Sequence, residues 1–232
     1  MERKLRNRLS RRSFLASSLR AALFGTYALN SRAEANQTPW RNWSGSLSCN
    51  PKGRYDIADE AQLITLLKRT SDPIRPVGSG HSFSPLVPTD GYLIVIDQLN
   101  GVLEHDNESM QATVGAGSRL GDLGAPLFEL GQGMLNLPDI DRQTVAGATA
   151  TGTHGTGINF KSLSGYITGL RLITASGEIK DLDAAQKDLF DAARVNLGVL
   201  GIVTQIRMQN RKAFRLKKKE WTAPTEELLR DF

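Results

Sequence analysis

The chain has 232 residues, with 29 Lys/Arg against 24 Asp/Glu and a formal charge of +5. Residues 1–35 hold eight of the basic and two of the acidic residues, which leaves residues 36–232 at net −1, so the excess basicity belongs to the leader and does not argue for nucleic acid as a partner of the folded body. A single cysteine, Cys49, excludes an internal disulfide and a paired-cysteine zinc site, and His81, His105 and His154 lie too far apart for metal-ligand spacing.

Residues 1–35 read as a targeting leader. A basic start is followed by Ser10-Arg11-Arg12-Ser13-Phe14-Leu15, a twin-arginine pattern, then by a moderately apolar stretch over 14–29 broken by Arg20. Ala33-Glu34-Ala35 supplies a small-x-small cleavage site, which predicts a mature start at Asn36. The expectation is export by the twin-arginine machinery to the periplasm or beyond. No apolar run approaches the ~20 residues of a membrane span, so no stable span is expected. About 197 residues then remain, enough for one domain with a core of its own.

Residues 36–54 read as an extended arm, with Trp40 and Trp43 as packing anchors. Helical spacing predicts a helix over 58–69, with Ala61, Leu63, Ile64 and Leu67 on one side and Pro73 beyond its end. A short strand over 74–77 feeds a glycine-rich turn. The apolar run 92–96 predicts a buried strand, 111–114 another, and 120–130 a helix closed by Gly131. Residues 167–174 predict a strand, 175–178 a hairpin turn and 184–193 a short helix. Ile202, Thr204, Ile206 and Met208 alternate on one face of a further strand, whose other side is expected to be exposed. Strands and helices mix without strict alternation, which favours an α+β fold. Six basic residues over 211–219 read as a solvated strand leaving the domain, and 221–229 as the start of another helix.

Two stretches carry the chemistry. The first is Arg75-Pro76-Val77-Gly78-Ser79-Gly80-His81-Ser82-Phe83-Ser84-Pro85, a glycine turn with one imidazole at its tip. Glycine lets backbone N–H groups come close to an anion, and an imidazole can carry a cofactor covalently. Alone, the turn fits a surface loop with a solvated histidine equally well. The second stretch runs over 145–157, all Gly, Ala, Val and Thr apart from His154. Small side chains let a flat ligand lie on the main chain, and threonine hydroxyls offer it hydrogen bonds. A tightly packed turn would also produce that composition. Two such stretches in one short domain favour a large shared ligand.

Competing motifs are weaker. Gly115-Ala116-Gly117-Ser118-Arg119-Leu120-Gly121 has the setting of a dinucleotide turn, but its last glycine comes one residue late. Asp139 and Asp141 form a close carboxylate pair in a loop, with nothing else to support glycoside chemistry.

In order along the chain, Gly78-Ser79-Gly80-His81-Ser82, Val114-Gly115-Ala116-Gly117 with Leu120-Gly121-Asp122-Leu123, the 146–155 block, and Leu197-Gly198-Val199-Leu200-Gly201-Ile202-Val203 span nearly all of 50–210. With these motifs the chain resembles the vanillyl-alcohol-oxidase-type flavoproteins with a PCMH-type FAD-binding domain. More narrowly it resembles the sugar-1,4-lactone oxidases (the D-arabinono- and L-gulonolactone group) and their alditol-oxidase relatives. The resemblance implies two α/β subdomains over 55–212, with 213–232 opening a substrate or cap domain that lies outside this sequence.

It also implies FAD, with its pyrophosphate on Gly78, Ser79 and Gly80, flanked by Val77 and Ser82, and a bond from His81 to the flavin 8α carbon. Asp139, Thr144, Gly147, Thr151, Gly152, Thr153 and His154 would line the ring and diphosphate, and Ile202 would meet the adenine side. Relatives carry Ser or Gly near Asp139, so the carboxylate is a departure. The reaction implied is hydride transfer from a carbinol carbon of an aldonolactone, or alternatively a polyol, to flavin, then to oxygen or another acceptor. A noncatalytic flavin-binding remnant is the other alternative. The acid/base residues of the family belong to the cap, so no catalytic residue is expected within this sequence.

Overall fold

The computed structural model describes residues 38–231, so the leader reading over 1–35 lies outside the described residues. A short hairpin opens the chain, β1 (Trp40–Arg41) on β2 (Ser48–Cys49). The first subdomain follows. Its sheet has the order β3 (Gly53–Asp56), β5 (Tyr92–Val95), β4 (Ile74–Val77), with both pairings parallel. Parallel neighbours need a crossover, which α1 (Glu60–Leu67) provides between β3 and β4. Asp59 starts α1 by accepting the Gln62 N–H at 2.8 Å. The helix is shorter than its periodicity predicts because this cap sits at Asp59 and Lys68 closes the other end, ahead of Pro73. Leu63 and Leu67 are buried as expected, but Ala61 is exposed and Leu66 takes its place against the core.

The apolar run of β5 is buried on both faces. Leu93 and Val95 pack with Val77 against Trp40, Cys49 and Val87. Ile94 and Ile96 face the other way, onto Ile57, Leu63, Leu67, Ala116, Ile173 and Ile202, a cluster that joins the two subdomains. Each such aliphatic contributes roughly 1.5–3 kcal/mol by burial.

The second subdomain is antiparallel. Its strands are β6 (Val102–Asp106), β7 (Gln111–Gly115), β8 (Gln132–Met134), β9 (Ile167–Ile173), β10 (Ile179–Asp183) and β11 (Ile202–Lys212). The order is β10-β9-β11-β7-β6, with β8 added at the far end of β11 through Asn210↔Met134. Along β11, Ile202, Thr204, Ile206, Met208 and Asn210 are all buried. The residues between them are half-buried rather than exposed up to Gln209. The reason is partly α1: Glu60 accepts from Thr204 and Gln205 and pairs with Arg171 at 3.6 Å. Arg171 also hydrogen-bonds Asp181 and thereby holds that carboxyl below its usual range.

Three helices close this core: α2 (Gly124–Glu129), α3 (Val145–Ala150) and α4 (Lys187–Arg194). The stretches predicted as single helices over 120–130 and 184–193 each begin as a 3-10 turn, Leu120–Leu123 and Ala184–Gln186. At the second, a capping box between Asp183 and Gln186 tightens the start. Leu120, Leu123 and Leu127 still fall on one buried line. Sequence reading placed no strand at β3, β6, β8 or β10. In β6 only Val102 is half-buried, and Leu103 to Asp106 face water at the sheet edge. Past β11 the basic segment has no regular structure before α5 (Thr225–Leu228), rather than continuing as a strand.

The subdomains meet backbone to backbone. A Cβ at Gly117 would lie 1.9 Å from the Ile96 carbonyl oxygen, and the Gly117 N–H donates to Leu99 at 2.9 Å. The glycines of the rival dinucleotide motif therefore serve close packing.

Candidate functional site

Between the subdomains lies a cleft open to solvent, and junctions of this kind are where small-molecule sites are preferentially found. Three stretches wall it: the turn after β4, the segment of Gln143 and α3, and the loop leading into β11.

In the first wall, Gly78 presses on the start of α3. A Cβ there would stand 2.2 Å from Thr144 Oγ1, so no larger residue fits without displacement. The Ser79 hydroxyl donates to the Arg142 carbonyl at 2.6 Å. Gly80 takes a left-handed φ of 70°. The β1–β2 hairpin grips the same turn: Trp43 N–H donates to Gly80 O at 2.8 Å and Asn42 Nδ2 to Ser82 O at 3.1 Å. The backbone N–H groups of Gly78, Ser79, Gly80, His81 and Ser82 donate to no acceptor among the described residues. Half-buried His81 stacks on Trp43, ring centroids 5.3 Å apart and planes 30° from parallel.

The second wall is one face of α3, where Ala146, Gly147, Ala150 and Thr151 line the cleft with Gln143 before them. Thr144 caps the helix by accepting the Gly147 N–H at 3.2 Å. Of the threonine hydroxyls read from the sequence as hydrogen-bonding groups for a ligand, those of Thr149 and Thr151 are spent on the helix. Thr149 donates to Val145 O and Thr151 to Gly147 O, both at 2.9 Å, the backbone return typical of threonine in helices.

The third wall is built on buried Asn196. Its Nδ2 donates to Ala193 O at 2.8 Å, and its Oδ1 accepts the Gly198 N–H at 2.6 Å. This ties down a bend in which Leu197 holds a left-handed φ of 52°. Ile96, Ala146, Ile202 and Val203 give the cleft apolar lining.

Of the residues singled out from sequence, Val77, Gly78, Ser79, Gly80, His81, Ser82, Thr144, Gly147, Thr151 and Ile202 line this cleft together. Asp139, Gly152, Thr153 and His154 do not. Asp139 is exposed in the preceding loop, and Thr153 accepts from Gln143 at 3.3 Å, one side chain removed from the lining. His154 is exposed, with Nδ1 2.9 Å from Gly155 O. Sequence reasoning passed over Ala146 and Ala150, which a helical spacing of four would have placed beside Gly147 and Thr151. It also passed over Asn196, whose role depends on the bend.

A run of unspent amide donors, a flat small-residue helix face and an apolar lining define a cleft for a dinucleotide cofactor between two α/β subdomains. Residues 55–183 match the family described as FAD binding domain, and the chain belongs to that family. The fold is the PCMH-type α+β architecture, and FAD is its cofactor. The chain is 40% identical over 182 residues to the L-gulono-1,4-lactone dehydrogenase of Mycobacterium tuberculosis, covering 77% of this chain and 42% of that protein. It is 32% identical over 194 residues to the L-gulonolactone oxidase of Mus musculus, covering 82% and 44%. To the D-arabinono-1,4-lactone oxidase of Eremothecium gossypii it is 32% identical over 198 residues, covering 82% and 37%. The chain thus spans about two-fifths of the length of these relatives. The structure of cholesterol oxidase from Brevibacterium sterolicum superposes with a TM-score of 0.70 at 20% identity, over 77% of this chain and 38% of that one, a likeness of fold.

Proposed function

We propose that the chain supplies the cofactor-holding part of an FAD-dependent oxidoreductase acting on the CH–OH group of an aldono-1,4-lactone. The observation that carries this is the Gly78–Thr144 contact, which brings both small-residue stretches into one cleft beside five unspent N–H groups. Those N–H groups bind the anionic linker, as backbone nests do. Ile96, Ala146, Ile202 and Val203 exclude water from the ring system. His81 stands at the mouth as the tether for the 8α carbon. FAD, when bound, supplies the hydride acceptor and passes the electrons to oxygen or another acceptor. The lactone reading, over the polyol alternative, rests on the relatives named above. Asp139, Gly152, Thr153 and His154 would act at the margin of the site.

The test is to load the chain with FAD, denature it in acid and measure flavin fluorescence on the polypeptide band. The tether predicts a fluorescent band that disappears in His81→Ala, while free FAD still binds that variant before denaturation. A dark wild-type band from protein that binds FAD reversibly would reject the tether. Residues 1–35 are assigned to twin-arginine export on their sequence alone. Arg11→Lys with Arg12→Lys should retain the protein inside the cell, and unchanged export would overturn the assignment.

A further inference from the structure

Two tryptophans lie three positions apart in the β1 hairpin and are treated very differently. Trp40 packs on the Val77–Leu93–Val95 cluster. Trp43 is 65% exposed, belongs to no buried cluster, and lays its ring on His81. A large indole left in water at the mouth of a cleft adds little to the core. His81, for its part, has no hydrogen bond to either ring nitrogen among the described residues. Reactive or ligating histidines are usually aimed by a hydrogen bond to the second nitrogen. Here stacking replaces that bond, and both nitrogens stay available. The backbone beneath the indole is anchored to the same turn: the Trp43 main-chain N–H donates to Gly80 O at 2.8 Å, and Asn42 Nδ2 beside it donates to Ser82 O at 3.1 Å. Platform and imidazole therefore ride on the same turn.

We propose that Trp43 is a positioning residue for flavin attachment, holding the His81 ring plane so that one nitrogen meets the 8α carbon. This rests on the tether reading above. Bond formation removes one hydrogen from the 8α methyl group and one from the imidazole N–H. The two electrons left behind go to dioxygen, which departs with both protons as hydrogen peroxide. Trp43 touches the nucleophile and not the bond being made, so its effect is on the rate of attachment. The upper range for an aromatic pair corresponds to about tenfold.

The test uses the full chain mixed with FAD in air, with the fluorescent fraction of the acid-denatured band followed over time. Trp43→Leu, which keeps apolar bulk without a π face, should slow attachment about tenfold. Trp43→Phe should restore most of the rate. A parallel titration in the His81→Ala background, where no bond can form, separates aiming from binding: adding Trp43→Leu there should leave FAD affinity unchanged. Attachment at the wild-type rate in Trp43→Leu overturns the inference and leaves the tether standing. So does a matching loss of reversible FAD affinity, which would make Trp43 part of the binding surface. A wild-type chain that binds FAD but never forms the bond overturns the tether reading and this inference with it.

Discussion

The turn at Gly78–Ser82 and the helix α3 at Val145–Ala150 look alike as sequence, both poor in bulk and rich in glycine or threonine, yet they spend their polar groups in opposite ways. In the turn, side chains and carbonyls are tied down by Arg142, Trp43 and Asn42, while a row of N–H groups is left without acceptors. In α3 the N–H groups have acceptors, Val145 and Ala146 on the carbonyls of Ser118 and Ala116 and Gly147 on the Thr144 cap, and the hydroxyls of Thr144, Thr149 and Thr151 also go to the helix backbone. The turn therefore offers a ligand directed donors. The helix offers it an even surface and little else. Small residues are compatible with both roles, and only the direction of each hydrogen bond tells them apart.

The sharpest way to break this comparison is Gly78→Ala. The added Cβ collides with Thr144 Oγ1, so either the turn or the helix start must move. Overpacking of this kind costs about 1–3 kcal/mol. We expect a lower melting temperature and about a tenfold or greater fall in FAD affinity by titration, since 1.4 kcal/mol is tenfold. Unchanged affinity would mean that the turn does not hold the cofactor.

Thr144→Ala comes next. Losing the cap to the Gly147 N–H should cost about 1 kcal/mol, seen as a melting shift of roughly 2–4 °C that Thr144→Ser largely recovers. Combined with Gly78→Ala, the two losses should fall short of their sum, because the colliding hydroxyl is gone. The smallest effect belongs to Thr151→Val. Its hydroxyl serves Gly147 O, so FAD affinity should change by less than about threefold by titration, well under the 1.4 kcal/mol of a tenfold change. A large loss there would put α3 on the same footing as the turn.

Most of the architecture could be read from the chain because apolar period and burial agree in β5 and β11, and the glycine turn follows directly from β4. Strand β6 could not, since Leu103-Glu104-His105-Asp106 at a sheet edge carries no apolar alternation. The shared cleft was inferable from composition, but its third wall was not. Asn196 and the left-handed Leu197 matter through a bend that only the packing of 196–201 creates. Trp40 and Trp43 were alike on paper. Their divergence comes from the hairpin, which turns one into the core and the other onto His81.

The walls of the cleft are drawn from residues 75–87, 143–151 and 196–203. No part of the chain can make a usable pocket locally, and closing it demands contacts between positions more than a hundred residues apart. Such high contact order makes assembly slow relative to a local fold of equal size. A ribosome must release nearly the whole domain before the pocket exists. The cofactor can use the whole site only once these stretches have come together, and by binding that state it stabilises it by mass action.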